Sequence, residues 1–270
     1  MVKTGVKIAL LGAGNMGEAI IRALIYHGIK PADIHVFDRK RERLKEVKKI
    51  YRVKAEQNNV SAVKKSDYII LAVKPQDLRS VLEEIKDAVE GKIIITIAAG
   101  VRIKKYTSIL GENVKIVRAM PNICALNSDA ATGLYFHGEF TEDERESIIK
   151  LMEMFGKVAQ IPEESLMDVV TGLSGSGPAF VFVFLEALAD AGVKLGLPRK
   201  EARLLAIQTV LGSAKLAMNI HKHFAELKDM VTSPGGTTMA GLKVLEEKRF
   251  RASIMDAVEA AVKRAKELAG

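Results

Sequence analysis

Short apolar runs alternate with amphipathic stretches through the first two-thirds of the chain. Val6–Leu11, Ile34–Phe37, Tyr68–Val73, Lys92–Ile97 and Val114–Ala119 are rich in Val, Ile or Leu, as strands buried on both faces should be. Between them, Met16–His27, Lys40–Lys49, Pro75–Val89 and Ile103–Leu110 carry helical spacing. This alternation predicts a parallel, doubly wound sheet, which a further apolar run at Ala131–Phe136 would extend. The pattern changes near Pro162. Beyond it the spacing predicts only helices, over Pro178–Leu195, Lys200–Ile220, Ala225–Met230, Pro234–Glu246 and Arg251–Leu268. Ala179 to Ala189 is almost continuously apolar, and a helix apolar on most sides needs cover on most sides. The expectation is an α/β domain over residues 1–161 and an all-helical domain over 162–270 that packs against another copy. No internal repeat or low-complexity linker interrupts the chain.

Composition narrows the class. Of 270 residues, 48% are hydrophobic and 27% charged, which is globular and excludes a disordered chain. No apolar run approaches the roughly 18 residues that cross a bilayer. Met1–Gly5 is too short to be a signal peptide. A single cysteine, Cys124, excludes a disulfide framework and a Cys-rich metal site. A soluble, cytoplasmic protein without a membrane partner is expected. The net charge of +8 would attract anions. Its densest run, Arg39–Lys45, follows a predicted strand, and solvated helix faces explain most of the charge. Trp is absent and no aromatics interleave the cations, so nucleic acid is set aside.

The sharpest chemical signal is Gly12-Ala13-Gly14-Asn15-Met16-Gly17, a GxGxxG loop. It follows a predicted buried strand and opens a helix, the context that a dinucleotide site requires. Gly12 permits the turn, Gly14 admits the pyrophosphate, and Gly17 lets helix and sheet pack closely. Free N–H groups at the helix start bind phosphate. Asp38 ends the second strand, 21 residues after Gly17, where an acidic residue accepts hydrogen bonds from the ribose of NAD. Arg39, Lys40 and Arg43 follow, and cations there would hold the 2′-phosphate of NADP. The two signals conflict, so NADH is favoured as usable and NADPH stays open. Ala72-Val73-Lys74-Pro75-Gln76, Ala98-Ala99-Gly100 and Met120-Pro121-Asn122 occupy equivalent strand ends, where ligands of open α/β sheets lie. Asn59 is added as a cofactor candidate.

In the helical part, Gly172-Leu173-Ser174-Gly175-Ser176-Gly177-Pro178 predicts a close backbone approach leading into a helix. Val231-Thr232-Ser233-Pro234-Gly235-Gly236-Thr237-Thr238 opens another. Ser233 is a natural N-cap with Pro234 in the first turn. Gly235 and Gly236 bare backbone amides that suit a carboxylate, and Thr237 and Thr238 add hydroxyls. The alternative is a well-capped helix and nothing more. The histidines lie outside every glycine motif, no nucleophile–base set emerges, and no metal site is expected. Cys124 reads best as a small core thiol.

Together these segments resemble pyrroline-5-carboxylate reductase over essentially the whole chain, in order. The most specific part is Glu226-Leu227-Lys228-Asp229-Met230 through Val231–Thr238 to Ala240-Gly241-Leu242. The resemblance implies a Rossmann domain followed by a helical dimerisation domain, a homodimer as the catalytic unit, and often a pentamer of dimers. It also implies reduction of 1-pyrroline-5-carboxylate to L-proline, the last step of proline biosynthesis, by NADPH or NADH. Imine reduction needs no strong general acid, because the nitrogen can be protonated before binding. Carried onto this chain, Ser233, Gly235, Gly236, Thr237, Thr238, Asn122 and Ser174 are expected to hold the substrate, with Thr238 at the ring nitrogen as the catalytic group. The cofactor set is Gly12 to Gly17, Asp38, Arg39, Asn59, Ala72, Val73, Lys74, Pro75, Ala98 and Gly100. The chain departs from the family pattern at three places. Ile123-Cys124 stands where Thr-Pro is usual, Phe224 where proline is usual, and Asp38 where many members have Ser or Asn.

Two rivals are weighed. A β-hydroxyacid dehydrogenase would carry a catalytic lysine four residues beyond Gly177, where this chain has Val181, and no lysine recurs until Lys194. A non-catalytic NAD(P)-responsive binding protein would keep the glycine loop but has no need of the Ser233–Thr238 cradle.

Overall fold

The computed structural model describes residues 5–269, with side chains up to 268. Residues 1–4, on which the N-terminal expectation rests, lie outside the described residues. Two compact units form, one of residues 5–175 with 261–269 and the other of 176–260.

The first unit is built on an eight-stranded sheet of order β3-β2-β1-β4-β5-β6-β7-β8. The strands are β1 Ile8–Leu11, β2 Ile34–Phe37, β3 Lys54–Ala55, β4 Tyr68–Leu71, β5 Ile93–Thr96, β6 Lys115–Met120, β7 Ala130–His137 and β8 Gly156–Gln160. The helices between them are α1 Asn15–Tyr26, α2 Arg41–Tyr51, α3 Asn59–Lys64, α4 Pro75–Ile85, α5 Ile103–Leu110, α6 Glu142–Glu153 and α7 Met167–Val170. Alternation along each strand divides the core between the two faces. Ile8 and Leu10 pack with Ile20, Leu24, Ile34 and Val36. Ala9 and Leu11 pack with Ile69, Leu71, Leu78 and Leu82 on the opposite side. All of these side chains are 0–2% exposed, so short runs of Ile, Leu and Val suffice where helices cover both faces.

Strands β1 to β6 are parallel in the doubly wound order, as expected. Ala131–Phe136 does extend the sheet, but β7 runs antiparallel to β6. A 3₁₀ segment, Ile123–Asn127, reverses the chain between them. No crossover helix separates the two strands, so they cannot pair in parallel. Five elements have no counterpart in the sequence reading: β3, α3, α6, β8 and α7. Of these, α6 carries a legible signal, because Thr141 and Glu144 form a reciprocal capping box.

The second unit contains α8 Gly177–Lys194, α9 Arg199–Asn219, α10 Phe224–Met230, α11 Thr237–Glu247 and most of α12 Phe250–Ala269. Helices α8 and α9 approach closely, and a Cβ on Gly192 would stand 3.1 Å from that of Ala202. Across residues 176–260 only Ala189, Ala202 and Ala206 are buried. Phe182 is 60% exposed and Leu204 65%. Such a unit lacks a core of its own, and its apolar helix faces require cover.

One expectation fails here. The continuous helical stretch Glu164–Lys194, 31 residues, is long and apolar enough to cross a membrane by composition, with 11% of its most apolar window buried. The expectation counted uninterrupted apolar residues, whereas the helix also recruits the small residues of the 172–177 glycine segment. Surface left bare for another protein meets the same criterion as surface left bare for lipid.

Candidate active site

The sheet order reverses between β1 and β4, and the loops at their carboxyl ends frame a crevice. The three glycines there have separable roles. Gly12 lies at φ +100°, and a Cβ would stand 2.7 Å from the Ala72 carbonyl oxygen. Gly17 is closed more tightly, with Gly12 O 2.2 Å from its would-be Cβ. Gly14 has nothing within 4 Å. Thus Gly12 and Gly17 are demanded by the protein itself, and Gly14 faces open space. Helix α1 begins just beyond, with Gly14 as N-cap and no side chain capping it. Its first intrahelical bond is from Glu18 N–H to Gly14 O at 2.8 Å, so the amides of Asn15, Met16 and Gly17 point outward without helical partners. This is a cradle for a pyrophosphate.

The crevice is a cleft of about 350 Å³. Gly12, Gly14, Asn15, Asp38, Arg39, Asn59, Ala72, Val73 and Lys74 line it, as expected from sequence. Phe37, Lys40, Arg43, Asp77 and Val81 complete the lining. Ala13, Met16 and Gly17 shape the loop from behind. Pro75 and Gly100 border a neighbouring hollow with Arg102 and Lys105, and Ala98 is buried.

Asp38 is held differently from a free ribose acceptor. Its Oδ2 accepts the Ala13 N–H at 2.7 Å and its Oδ1 the Lys40 N–H at 2.8 Å. Arg43 braces the same loop from its Nε to Ala13 O at 2.7 Å, and pairs with Glu46 and Glu18. Hydrogen bonds donated to the Glu46 and Glu18 carboxylates push the Arg43 guanidinium further up. The bond from Arg43 holds the Glu18 carboxyl below its usual range. Arg39 reaches Asp77 at 2.7 Å while 69% exposed. Asn59 is buried, its side chain donating to Glu84 at 2.7 Å.

At the end of β6, the side chain of Asn122 donates to Ser174 O at 3.0 Å and accepts the Cys124 N–H at 3.2 Å. Ser174 sits in a π-helical turn, Thr171–Gly175. Gly175 gives the predicted close approach, since a Cβ there would meet Met120 Cε at 2.9 Å. The turn is anchored by a buried charge cluster that the sequence did not reveal. Arg118, 3% exposed, reaches Glu164 at 3.0 Å and Asp168 at 3.6 Å, and Arg102 adds a second cation to Asp168 at 3.3 Å.

In the second unit, the expected helix start is corrected. Ser233 is not the N-cap and Pro234 is not in the first turn. Residues 233–236 form a reverse turn, with Gly236 N–H bonded to Ser233 O at 3.0 Å and Gly235 at φ +70°. Proline then glycine at the two centre positions favours this turn over helix. The helix starts at Thr237 with Gly236 as N-cap and no side-chain cap. A Cβ on Gly236 would lie 2.3 Å from Ser233 Oγ. The amides of Thr237, Thr238 and Met239 are therefore the uncapped ones, and Thr238 is half-buried beside them.

Comparison with known proteins decides the family. The chain is 46% identical to a pyrroline-5-carboxylate reductase of Methanosarcina acetivorans over 97% of both chains. The chain belongs to the pyrroline-5-carboxylate reductase family. Residues 164–268 match the family model described as pyrroline-5-carboxylate reductase dimerisation. Residues 7–100 match the one described as NADP oxidoreductase, coenzyme F420-dependent. A reductase structure from Coxiella burnetii superposes with a TM-score of 0.94 at 37% identity, covering 98% of this chain and 99% of that one. One from Plasmodium falciparum with NADP bound gives 0.87 at 31% identity, covering 98% and 99%.

The departures from the usual reductase pattern have local consequences. Cys124, at a usual proline, keeps the N–H that fixes the Asn122 side chain. Phe224 begins α10 and is 75% exposed. The usual proline would be equally at home in a first turn.

Proposed function

We propose that the chain reduces 1-pyrroline-5-carboxylate to L-proline with NADPH or NADH. The observation that carries this reading is the pairing, in one reductase-family chain, of an open Gly14 cradle in the first unit with an uncapped helix start after Ser233 in the second. A nicotinamide held in the cleft would supply a hydride with its electron pair to the imine carbon, and the C=N π pair would move onto nitrogen, which would take a proton. The residues of the chain bind and orient. Gly12 to Gly17 hold the pyrophosphate, the strand ends Ala72 to Pro75 and Ala98 to Gly100 border the ribose and nicotinamide, and Asn59 and Arg39 flank the adenosine side. Gly236 closes the turn on Ser233 O, which leaves the amides of Gly235, Thr237 and Thr238 to receive the substrate carboxylate, with Ser233, Asn122 and Ser174 completing the substrate set. The Thr238 hydroxyl, which bonds no other described residue, hydrogen-bonds the ring nitrogen and relays its proton. Most of the acceleration then comes from positioning.

The division of labour places cofactor binding in residues 1–161 and substrate binding with dimerisation in 162–270. The match to the dimerisation model from residue 164 supports that boundary. The bare apolar helices of residues 176–260 support a homodimer; assembly into a pentamer of dimers and action in the cytoplasm are part of the same proposal. The test is product analysis with nicotinamide deuterated at C4. L-Proline carrying deuterium at the former imine carbon supports the assignment. Consumption of cofactor without labelled proline contradicts it.

A further inference from the structure

We propose that Arg118 is a positioning residue for imine reduction: its guanidinium, held between Glu164 and Asp168, fixes the π-helical turn and, through Ser174 O, the angle at which the Asn122 side chain is presented. This rests on the reductase reading above, with Asn122 as a substrate contact. Arg118 lies inside β6, on the sheet face that also carries Ile116, and pairs in register with Thr96 of β5. It is buried. Apolar side chains in place of the whole cluster would cost the fold little, so stability alone does not call for a cation here.

The cluster ties together two strand-end segments. Glu164 Oε1 accepts Arg118 Nη1 at 3.0 Å and the Ile103 N–H at 2.7 Å, so it caps the start of α5, just beyond Ala98–Gly100. Asp168 stands 3.6 Å from Arg118 Nη2 and accepts Arg102 Nη2 at 3.3 Å. Arg102 is the N-cap of that same helix. Three residues beyond Asp168 the chain enters the π turn Thr171–Gly175, a rare conformation found mostly at functional sites. Pro178, four residues after Ser174, has no N–H to offer its carbonyl. That carbonyl accepts the Asn122 side chain at 3.0 Å instead. Asn122 Oδ1 accepts the Cys124 N–H at 3.2 Å. One bond at each end sets the amide plane. The second Nδ2 hydrogen has no partner among the described residues, which leaves it for the substrate. Its direction follows the turn, and the turn follows Arg118. Arginine suits the task because one planar fork spans two carboxylates, whereas a lysine ammonium is a point charge.

The test is Arg118→Lys, which keeps the charge and loses the fork. Imine reduction, NADPH binding by fluorescence and thermal melting are measured on the full chain. The kcat/KM for 1-pyrroline-5-carboxylate is expected to fall about tenfold or more, within the range of a small misplacement of a contact group. The Kd for NADPH should stay within about twofold, a split that general destabilisation would not produce. Asn122→Ala removes the contact through which Arg118 acts, so in that background Arg118→Lys should cost less than about twofold more. Glu164→Gln keeps an acceptor oxygen and loses the charge facing Arg118. It should show the same split, at about threefold or more, and decides the matter if Arg118→Lys does not fold. Wild-type kcat/KM in a folded variant, an equal loss of NADPH binding, or additive losses with Asn122→Ala would overturn the proposal. If unmodified protein binds NADPH but leaves the imine unchanged, the reductase reading fails and the positioning role with it. If unmodified protein turns over, any of the three preceding results removes the positioning role alone.

Discussion

Two alanine substitutions in one loop should have opposite consequences. At Gly14 the backbone is extended, at φ −67° and ψ −170°, and alanine adopts it without strain. Nothing lies within 4 Å of the added methyl. Alanine removes freedom from the unfolded chain, worth about 0.4–1 kcal/mol, but caps a helix less well than glycine, by a similar amount. The two nearly cancel, and Tm should move by about 2 °C or less. The methyl does, however, occupy the space through which a pyrophosphate approaches the α1 amides. Overpacking of that kind costs about 1–3 kcal/mol, so the Kd for NADPH should rise roughly five- to 150-fold. At Gly17 the order reverses. The methyl would lie 2.2 Å from Gly12 O and 3.2 Å from Gly12 C, so helix and loop must part before any ligand arrives. The same cost falls on the fold, and Tm should drop by roughly 2–10 °C. Thermal melts by circular dichroism and titration with NADPH measure both quantities. Gly14→Ala binding NADPH like wild type, or Gly17→Ala melting like wild type, would refute this division of roles.

Four further outcomes are expected. Thr238→Ala should lower kcat by about tenfold or more and leave the Kd for NADPH within twofold, since the hydroxyl is assigned to the imine and lies in the other unit; unchanged turnover removes it from the mechanism. Burial acts to raise the Glu56 carboxyl, but bonds from Lys65, Ser61 and His35 outweigh it and hold the group at about 2 against 4.5. Its contribution, roughly 3 kcal/mol at most, is complete above pH 4.5 and is lost as pH falls toward 2, so urea denaturation of Glu56→Gln should lack that part of the acid decline, and parallel profiles would contradict the pairing. Arg118→Met strips the buried Asp168 and the half-buried Glu164 of their shared cation and should cost about 3–5 kcal/mol; a loss below about 1 kcal/mol by chemical denaturation would show the cluster to be incidental. Finally, Phe182→Asp combined with Leu204→Asp should reduce the molar mass seen by light scattering, and an unchanged mass would place the subunit contact elsewhere.

Much of this was legible in the chain because it depends on local period and local backbone chemistry. Ile34–Phe37 and Ile103–Leu110 match their expected ends residue for residue, since buried Ile and Val alternate with turn and cap residues within a few positions. The GxGxxG loop was readable for the same reason, because Gly12 and Gly17 are required by contacts within the loop or with Ala72 just beyond β4. What escaped depends on partners distant in sequence. The bond from Ala13 N–H to Asp38, 25 residues away, is one such contact. Arg118 on β6 reads as a stray charge in an apolar strand, and only the fold brings Glu164 and Asp168 to it. Strand β8 is half-exposed at the sheet edge, so its Gly-Lys-Val-Ala-Gln sequence carries little hydrophobic signal. At Ser233 the error was one of competing local rules. Serine followed by proline satisfies an N-cap pattern, but the glycine after it allows the reverse turn that wins. The bare faces of α8 and α9 were anticipated as needing a partner copy, yet no spacing rule says which residues meet it.

The most direct test of the central claim is steady-state loss of reduced-nicotinamide absorbance on adding 1-pyrroline-5-carboxylate, with L-proline quantified in the same samples. Oxidation of one NADPH per proline formed, absent when the imine is omitted and reduced by Thr238→Ala, is the predicted result. A folded protein that binds NADPH in the Gly14 cradle but leaves both cofactor and imine unchanged would contradict it.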